Sequence, residues 1–231
     1  MPDALLIAHG QPSAPEAAEA ALALEATKVG ALMPGWRIKS ATLAMNGALR
    51  EVAGTLDAPL VLPLFMADGW FTRRLLPTRL AEAGLAGAPV LPPLGLAPGL
   101  VAIAINYARE AAQIAGFAPE AGTLILAAHG SATGPAAGKA ARAFAQAMLP
   151  AGFADQRLGF IEEAPGLADV ACDAGPHALC LPLFVARGGH VIDDIPQALD
   201  RAGFAGTLLD PIGLHPEVPA LIASLLRGAP S

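Results

Sequence analysis

The sequence predicts an α/β protein built twice: two tandem domains, 1–117 and 118–231, each a parallel sheet with helices on both faces. Two observations predict it. Short apolar runs alternate with Ala/Leu-rich stretches of helical period, the pattern of strands joined by crossover helices. Three blocks also recur in one order. LLIAHG ending at Gly10 matches LILAAHG ending at Gly130, PLFMADG from Pro63 matches PLFVARG from Pro182, and PLGLAP from Pro93 matches PIGLHP from Pro211. The offset drifts only from 120 to 119 to 118 residues, as expected of a duplicated β/α unit. Apolar residues make up 54% and aromatics 5%, so the core should close around small side chains.

Each element has a local reason. Ala4–Ala8 is an apolar run stopped by His9-Gly10, a buried strand and a turn. Ala17 to Leu32 follows Pro15 and sets Glu16, Glu19 and Glu25 to one side, a helix. Arg37–Leu43 reads as a strand, Ala48–Val52 as a short helix and Leu60–Phe65 as a strand stopped by Asp68-Gly69. Pro77–Ala83 is helical, Ala88–Leu91 a fourth strand and Gly99–Ala115 a helix. Pro119 and Gly122 punctuate a linker over 117–122. The pattern then restarts, with strands Thr123–Ala128, Arg157–Ile161, Ala178–Val185 and Thr207–Leu209. The helices of this half are Ala136–Met148, Leu167–Cys172, Ile195–Ala202 and Val218–Leu226.

Composition excludes several classes. A net charge of −6 is wrong for a general nucleic-acid binder, which needs a basic face for phosphates. Cys172 and Cys180 fit neither a disulfide framework nor zinc spacing and read as two buried, reduced thiols of a cytoplasmic protein. The start MPDALLIAHG lacks the basic and apolar regions of a signal peptide. Residues 83–108 carry no charge, but Pro89, Pro92, Pro93 and Pro98 interrupt them, so no membrane span is expected.

The differences between the halves locate the chemistry. Both keep the strand-end histidine, His9 and His129. Only the second half has His190, where the first has Phe71, and Asp193 and Asp194 stand where the first has Arg74 and Leu75. His215 stands opposite Ala97, and Glu162 and Glu163 opposite Ala44 and Met45. Were the halves to face each other across a cleft, one wall would carry imidazoles and carboxylates, a borderline divalent metal's donors. The other would carry Trp70, Phe71, Arg73 and Arg74, suited to a flat aromatic ligand bearing acidic groups. Ligands of such sheets bind beyond the strands' carboxyl ends, where the Gly188-Gly189 turn and His190 lie. His9 reads as a histidine bonded to backbone and His215 as structural at a helix start, while Asp193 and Asp194 suit either the site or a helix N-terminus.

AHGS (Ala128–Ser131), PLFxxxGxHxxDDIP (Pro182–Pro196) and PIGxHP (Pro211–Pro216) together resemble the sirohydrochlorin chelatases, the CbiX/SirB branch of the class II chelatases. The resemblance covers nearly the whole chain, and long members of that family are tandem duplications too. It implies two Rossmann-like halves around a central cleft that binds a tetrapyrrole. It also implies insertion of a divalent metal, Fe²⁺ towards sirohaem or Co²⁺ towards cobalamin, with no ATP and no organic cofactor. The family's metal histidines map to His129 and His190, and its glutamate to Glu162, with Glu163 one residue away. Arg187, Arg73 and Arg74 are expected to meet the substrate's eight carboxylates, with Ser131, Gly188, Gly189 and Trp70 also at the ring. A metal- or tetrapyrrole-binding carrier without turnover, and a ferrochelatase acting on protoporphyrin, are the other readings. The end LLRGAPS has neither the His-rich tract nor the Cys-x-x-Cys of some cobalt-associated relatives, which tilts the expectation to iron. The duplication supplies within one chain what a shorter relative needs a dimer for, which is compatible with a monomer.

Overall fold

The structure, a computed structural model, describes residues 1–132 and 134–229. The chain runs β1 (Asp3–Ala8), α1 (Pro15–Ala31), β2 (Arg37–Thr42), α2 (Ala48–Ala53), β3 (Leu60–Pro63) and α3 (Leu76–Glu82). It continues as α4 (Pro98–Ile114), β4 (Thr123–Ala128), α5 (Ala136–Met148), β5 (Asp155–Phe160) and α6 (Leu167–Ala171). It ends as β6 (Ala178–Pro182), α7 (Ile195–Arg201), β7 (Thr207–Leu208) and α8 (Val218–Arg227). Two sheets result, both parallel, in the orders β2-β1-β3 and β5-β4-β6-β7. The central strands β1 and β4 are buried along their whole length, which is why they read as unbroken apolar runs.

The compact units do not divide where the sequence repeat restarts. One comprises Met1–Ala97 with the chain from Pro216 onward, and the other Pro98–His215. Against the expected boundary between 117 and 118, α4 and α8 each belong to the unit of the other half. In the first unit, α8 buries Val218, Ile222, Ala223 and Leu226 and packs on α1, while Arg227 donates to the Leu32 carbonyl. Leu5, Ile7, Ala41, Leu49, Val61, Leu76 and Leu80 form a core here. In the second unit, α4 buries Leu100, Ile103, Ala104, Ala108, Ala111 and Ala112, a helical stripe, and packs on α5 and β6. Its core includes Ile125, Ala127, Leu167, Cys180, Val191, Ile195 and Leu199.

Two expectations are corrected. Ala88–Leu91 is no strand, for Val90 forms only a single bridge with Val61. Pro89, Pro92 and Pro93 offer no N–H to a ladder, whereas the second half's counterpart keeps its donors and pairs as β7. Helices α3 and α7 form where expected, each preceded by a π-helical turn, Phe71–Leu75 and His190–Asp194. Finally, Cys180 is buried but Cys172, at the end of α6, is exposed. Burial pushes the Cys180 thiol up to about 12. Among the described residues no helix is long and apolar enough to cross a membrane.

Candidate metal centre

Three neighbouring strand ends of the second unit build one cluster. β4 ends at His129, held by a left-handed turn at Gly130 (φ 72°). β5 runs beside β4 and continues to Glu162, whose N–H donates to the His129 carbonyl at 2.9 Å. β6, on the other side of β4, leads through Gly188 and Gly189 into the π-helical turn that opens with His190. The Gly188 carbonyl accepts from the N–H groups of Val191 (2.9 Å) and Ile192 (3.0 Å), which starts that turn. Val191 and Ile195 are buried beneath it, so the turn presents His190 outward.

The two imidazole rings meet edge to face, centroids 4.4 Å apart and planes at 88°. Ligand atoms of His129, Glu162 and His190 lie within 4.8 Å of one another. The Glu162 carboxylate is 3.8 Å from His129 Nδ1. All three side chains are partly open to solvent, at 40%, 47% and 38% exposure, so an ion can enter and leave. His129 Nδ1 lies 2.8 Å from the Gly130 carbonyl, which can only accept, so the proton sits on Nδ1 and Nε2 keeps its lone pair. His190 Nδ1 meets the Asp194 carboxylate at 2.7 Å. Two imidazoles and one carboxylate with open positions suit Fe²⁺ or Co²⁺ without the grip of thiolates.

The other expected residues are scattered more widely. Glu163 is engaged elsewhere: it accepts from Arg142 at 2.5 Å and from the Ser131 N–H at 3.3 Å. The Arg142 guanidinium holds the Glu163 carboxyl below the usual carboxylate range and also lies over the Phe160 ring. Glu163 thus ties the loop after His129 to α5. Asp193 is exposed beside Asp194. Arg187 is ion-paired with Asp210, whose N–H donates to the Tyr107 hydroxyl at 3.2 Å. The His215 ring packs on Tyr107, centroids 4.9 Å apart. Tyr107 was missed by sequence reasoning because it precedes the repeat boundary, so nothing in the sequence joins it to the second half.

In the first unit the equivalent place is apolar. The Ala44 N–H donates to the His9 carbonyl at 2.9 Å, the counterpart of the Glu162 bond, so alanine stands where the carboxylate does. The His9 ring packs on Phe71 at 4.5 Å, and its Nδ1 is buried without a hydrogen bond among the described residues, against the expectation of a backbone bond. Phe71 lies between Phe65 and an edge-on Trp70, itself 62% exposed. Arg73 pairs with Asp68 at 2.8 Å, and Arg74 is exposed.

The sequence model of the CbiX family matches residues 123–229, which contain the whole cluster. A solved structure described as CbiX, the terminal enzyme for biosynthesis of siroheme in denitrifying bacteria, is 46% identical, with 100% of both chains covered and a TM-score of 0.91. The chain belongs to the CbiX family. More distant chains share the CbiX fold. SirB from Bacillus subtilis with Fe³⁺ is 16% identical, covering 98% of this chain and 95% of its own, with a TM-score of 0.76. A multi-domain protein of Deinococcus radiodurans with structural similarity to chelatases is 22% identical, at a TM-score of 0.74. It covers 100% of this chain and 56% of its own, so the CbiX-like part is about half of it. No curated protein sequence matches the chain.

Proposed function

We propose that this CbiX-family chain is a sirohydrochlorin chelatase that inserts Fe²⁺ into sirohydrochlorin to give sirohaem. The observation that carries the reading is the His129, Glu162 and His190 cluster at three adjacent strand ends, in a chain 46% identical to a terminal enzyme of siroheme biosynthesis. The reaction exchanges two pyrrole N–H protons for one divalent ion and needs no ATP or redox step. His129 and His190 hold the incoming ion through Nε2, and Glu162 completes the donor set or accepts a departing proton. Weak coordination is a requirement, because an ion gripped by thiolates could not be handed to the ring.

Arg187, Arg73 and Arg74 are the candidate partners of the substrate's carboxylates. Ser131, Gly188, Gly189 and Trp70 are candidates to border the ring. The donor set accepts Co²⁺ as readily as Fe²⁺, so cobalt insertion towards cobalamin is the second reading. His129, Glu162 and His190 all come from one chain, so the cluster itself needs no second copy, which fits a monomer.

Anaerobic turnover followed by sirohydrochlorin absorbance tests the proposal. Wild type should metallate the ring, faster with Fe²⁺ than with Co²⁺. His129→Ala and His190→Ala should each lose roughly 100-fold or more, beyond the 10–100-fold usual for outer partners of a metal ligand. Near-normal turnover in either variant removes that histidine from the mechanism.

A further inference from the structure

We propose that Asp194 is a positioning residue for the metal: it holds the Nδ1–H of His190 so that the lone pair of Nε2 faces the ion. The inference rests on the reading of the cluster as a metal-transfer site. A carboxylate 2.7 Å from Nδ1 accepts its proton's hydrogen bond and so fixes both the tautomer and the ring's rotation about χ2. The His129 ring is held in the same sense by the Gly130 carbonyl. The two rings therefore present the same nitrogen by different means, one through backbone and one through Asp194.

The ordinary explanation of an acid here is support of a helix start, and the molecule contains its own control. Asp194 stands at the N-cap of α7 yet its side chain caps nothing. The first unit builds the same device from Phe71–Leu75, with the Leu76 N–H reaching back to the Phe71 carbonyl as the Ile195 N–H reaches His190. Both turns run into a helix with proline in its first turn. That copy has Leu75 where this one has Asp194. The turn thus forms without an acid, and the acid is found where the imidazole is. A π-helical turn also places residues four apart close together on one side, which is the spacing of His190 and Asp194.

Co²⁺ titration of the full chain without tetrapyrrole, followed by the ion's visible absorption, tests this. Asp194→Leu, the residue of the other copy, should weaken Co²⁺ binding about 10–100-fold. Asp194→Asn, whose amide oxygen still accepts from Nδ1–H, should recover most of it. Imidazole ¹H–¹⁵N spectra should place the His190 proton on Nδ1 in wild type and Asp194→Asn, and on both nitrogens in Asp194→Leu. Circular dichroism checks the fold, with Asp194→Ala used if the leucine variant misfolds. Wild-type Co²⁺ affinity in the folded leucine or alanine variant overturns the inference, as does an asparagine variant as weak as leucine. A wild type that binds Co²⁺ but never metallates sirohydrochlorin sinks the proposed function and leaves this inference standing.

Discussion

At the scale of single residues, one buried charge shows how the fold's edges are fixed. Asp3 has a side chain with no exposure, yet it opens β1. Its carboxylate takes Arg37 Nε at 2.9 Å and Nη2 at 2.5 Å, and the Asp57 N–H at 2.6 Å. Arg37 stands opposite Asp3 in the β1–β2 register, so the pair locks that register. The Arg37 hydrogen bond holds the Asp3 carboxyl below its ordinary value, against the opposing effect of burial. The unfolded chain then binds a proton more readily than the native one. Stability from Asp3 is therefore complete above about pH 4 and disappears as pH falls through the lowered value. Asp3→Asn should lower the urea midpoint at pH 7, and the gap from wild type should narrow at pH 3. An unchanging gap would assign the loss to packing. Sequence reading passed over Asp3, because an acid next to an apolar run looks like a solvated strand end. His190 and Glu162 were legible because the duplicated half has Phe71 and Ala44 in their places, and His129 because its strand-end block recurs at His9. The choice between Glu162 and Glu163 was not legible, since it depends on Arg142, a residue of α5 that no local pattern connects to the strand end.

At the scale of elements, the strand and helix order was readable because parallel strands buried on both faces leave long apolar runs. The π-helical turns were not, since one extra residue in a turn changes no composition and barely disturbs periodicity. A second brace was visible only as a repeated block. The turn after Pro93 and the turn after Pro211 press a glycine against the loop that follows β3 and β6. A Cβ on Gly95 would lie 2.3 Å from the Met66 carbonyl, and one on Gly213 2.3 Å from Val185 Cα. Each glycine also donates its N–H to that loop, at 2.9 Å to Phe65 and to Phe184. Gly213→Ala should thus cost about 1–3 kcal/mol, as overpacking does, and loosen the segment leading to His190. Gly95→Ala should cost a similar amount of stability. Thermal melts should show both losses, whereas Co²⁺ titration should weaken in Gly213→Ala and remain unchanged in Gly95→Ala.

At the scale of the whole molecule, the repeat and the compact units disagree over two helices, α4 and α8. The repeat boundary follows ancestry in the sequence, while the units follow burial, and no sequence pattern shows which sheet an amphipathic helix covers. A fragment of residues 98–215 should consequently melt cooperatively and bind Co²⁺, since it contains the cluster and the apolar stripe of α4. A fragment of residues 118–231 lacks that stripe and should melt without a sharp transition. Equal behaviour of the two fragments would show that α4 contributes little to the second unit. The placement of α8 sets a timetable on the ribosome. Nascent domains ordinarily finish in the order they emerge. Here the unit holding the cluster is complete once His215 has left the exit tunnel, while the unit begun by Met1 must wait until α8 has emerged as well.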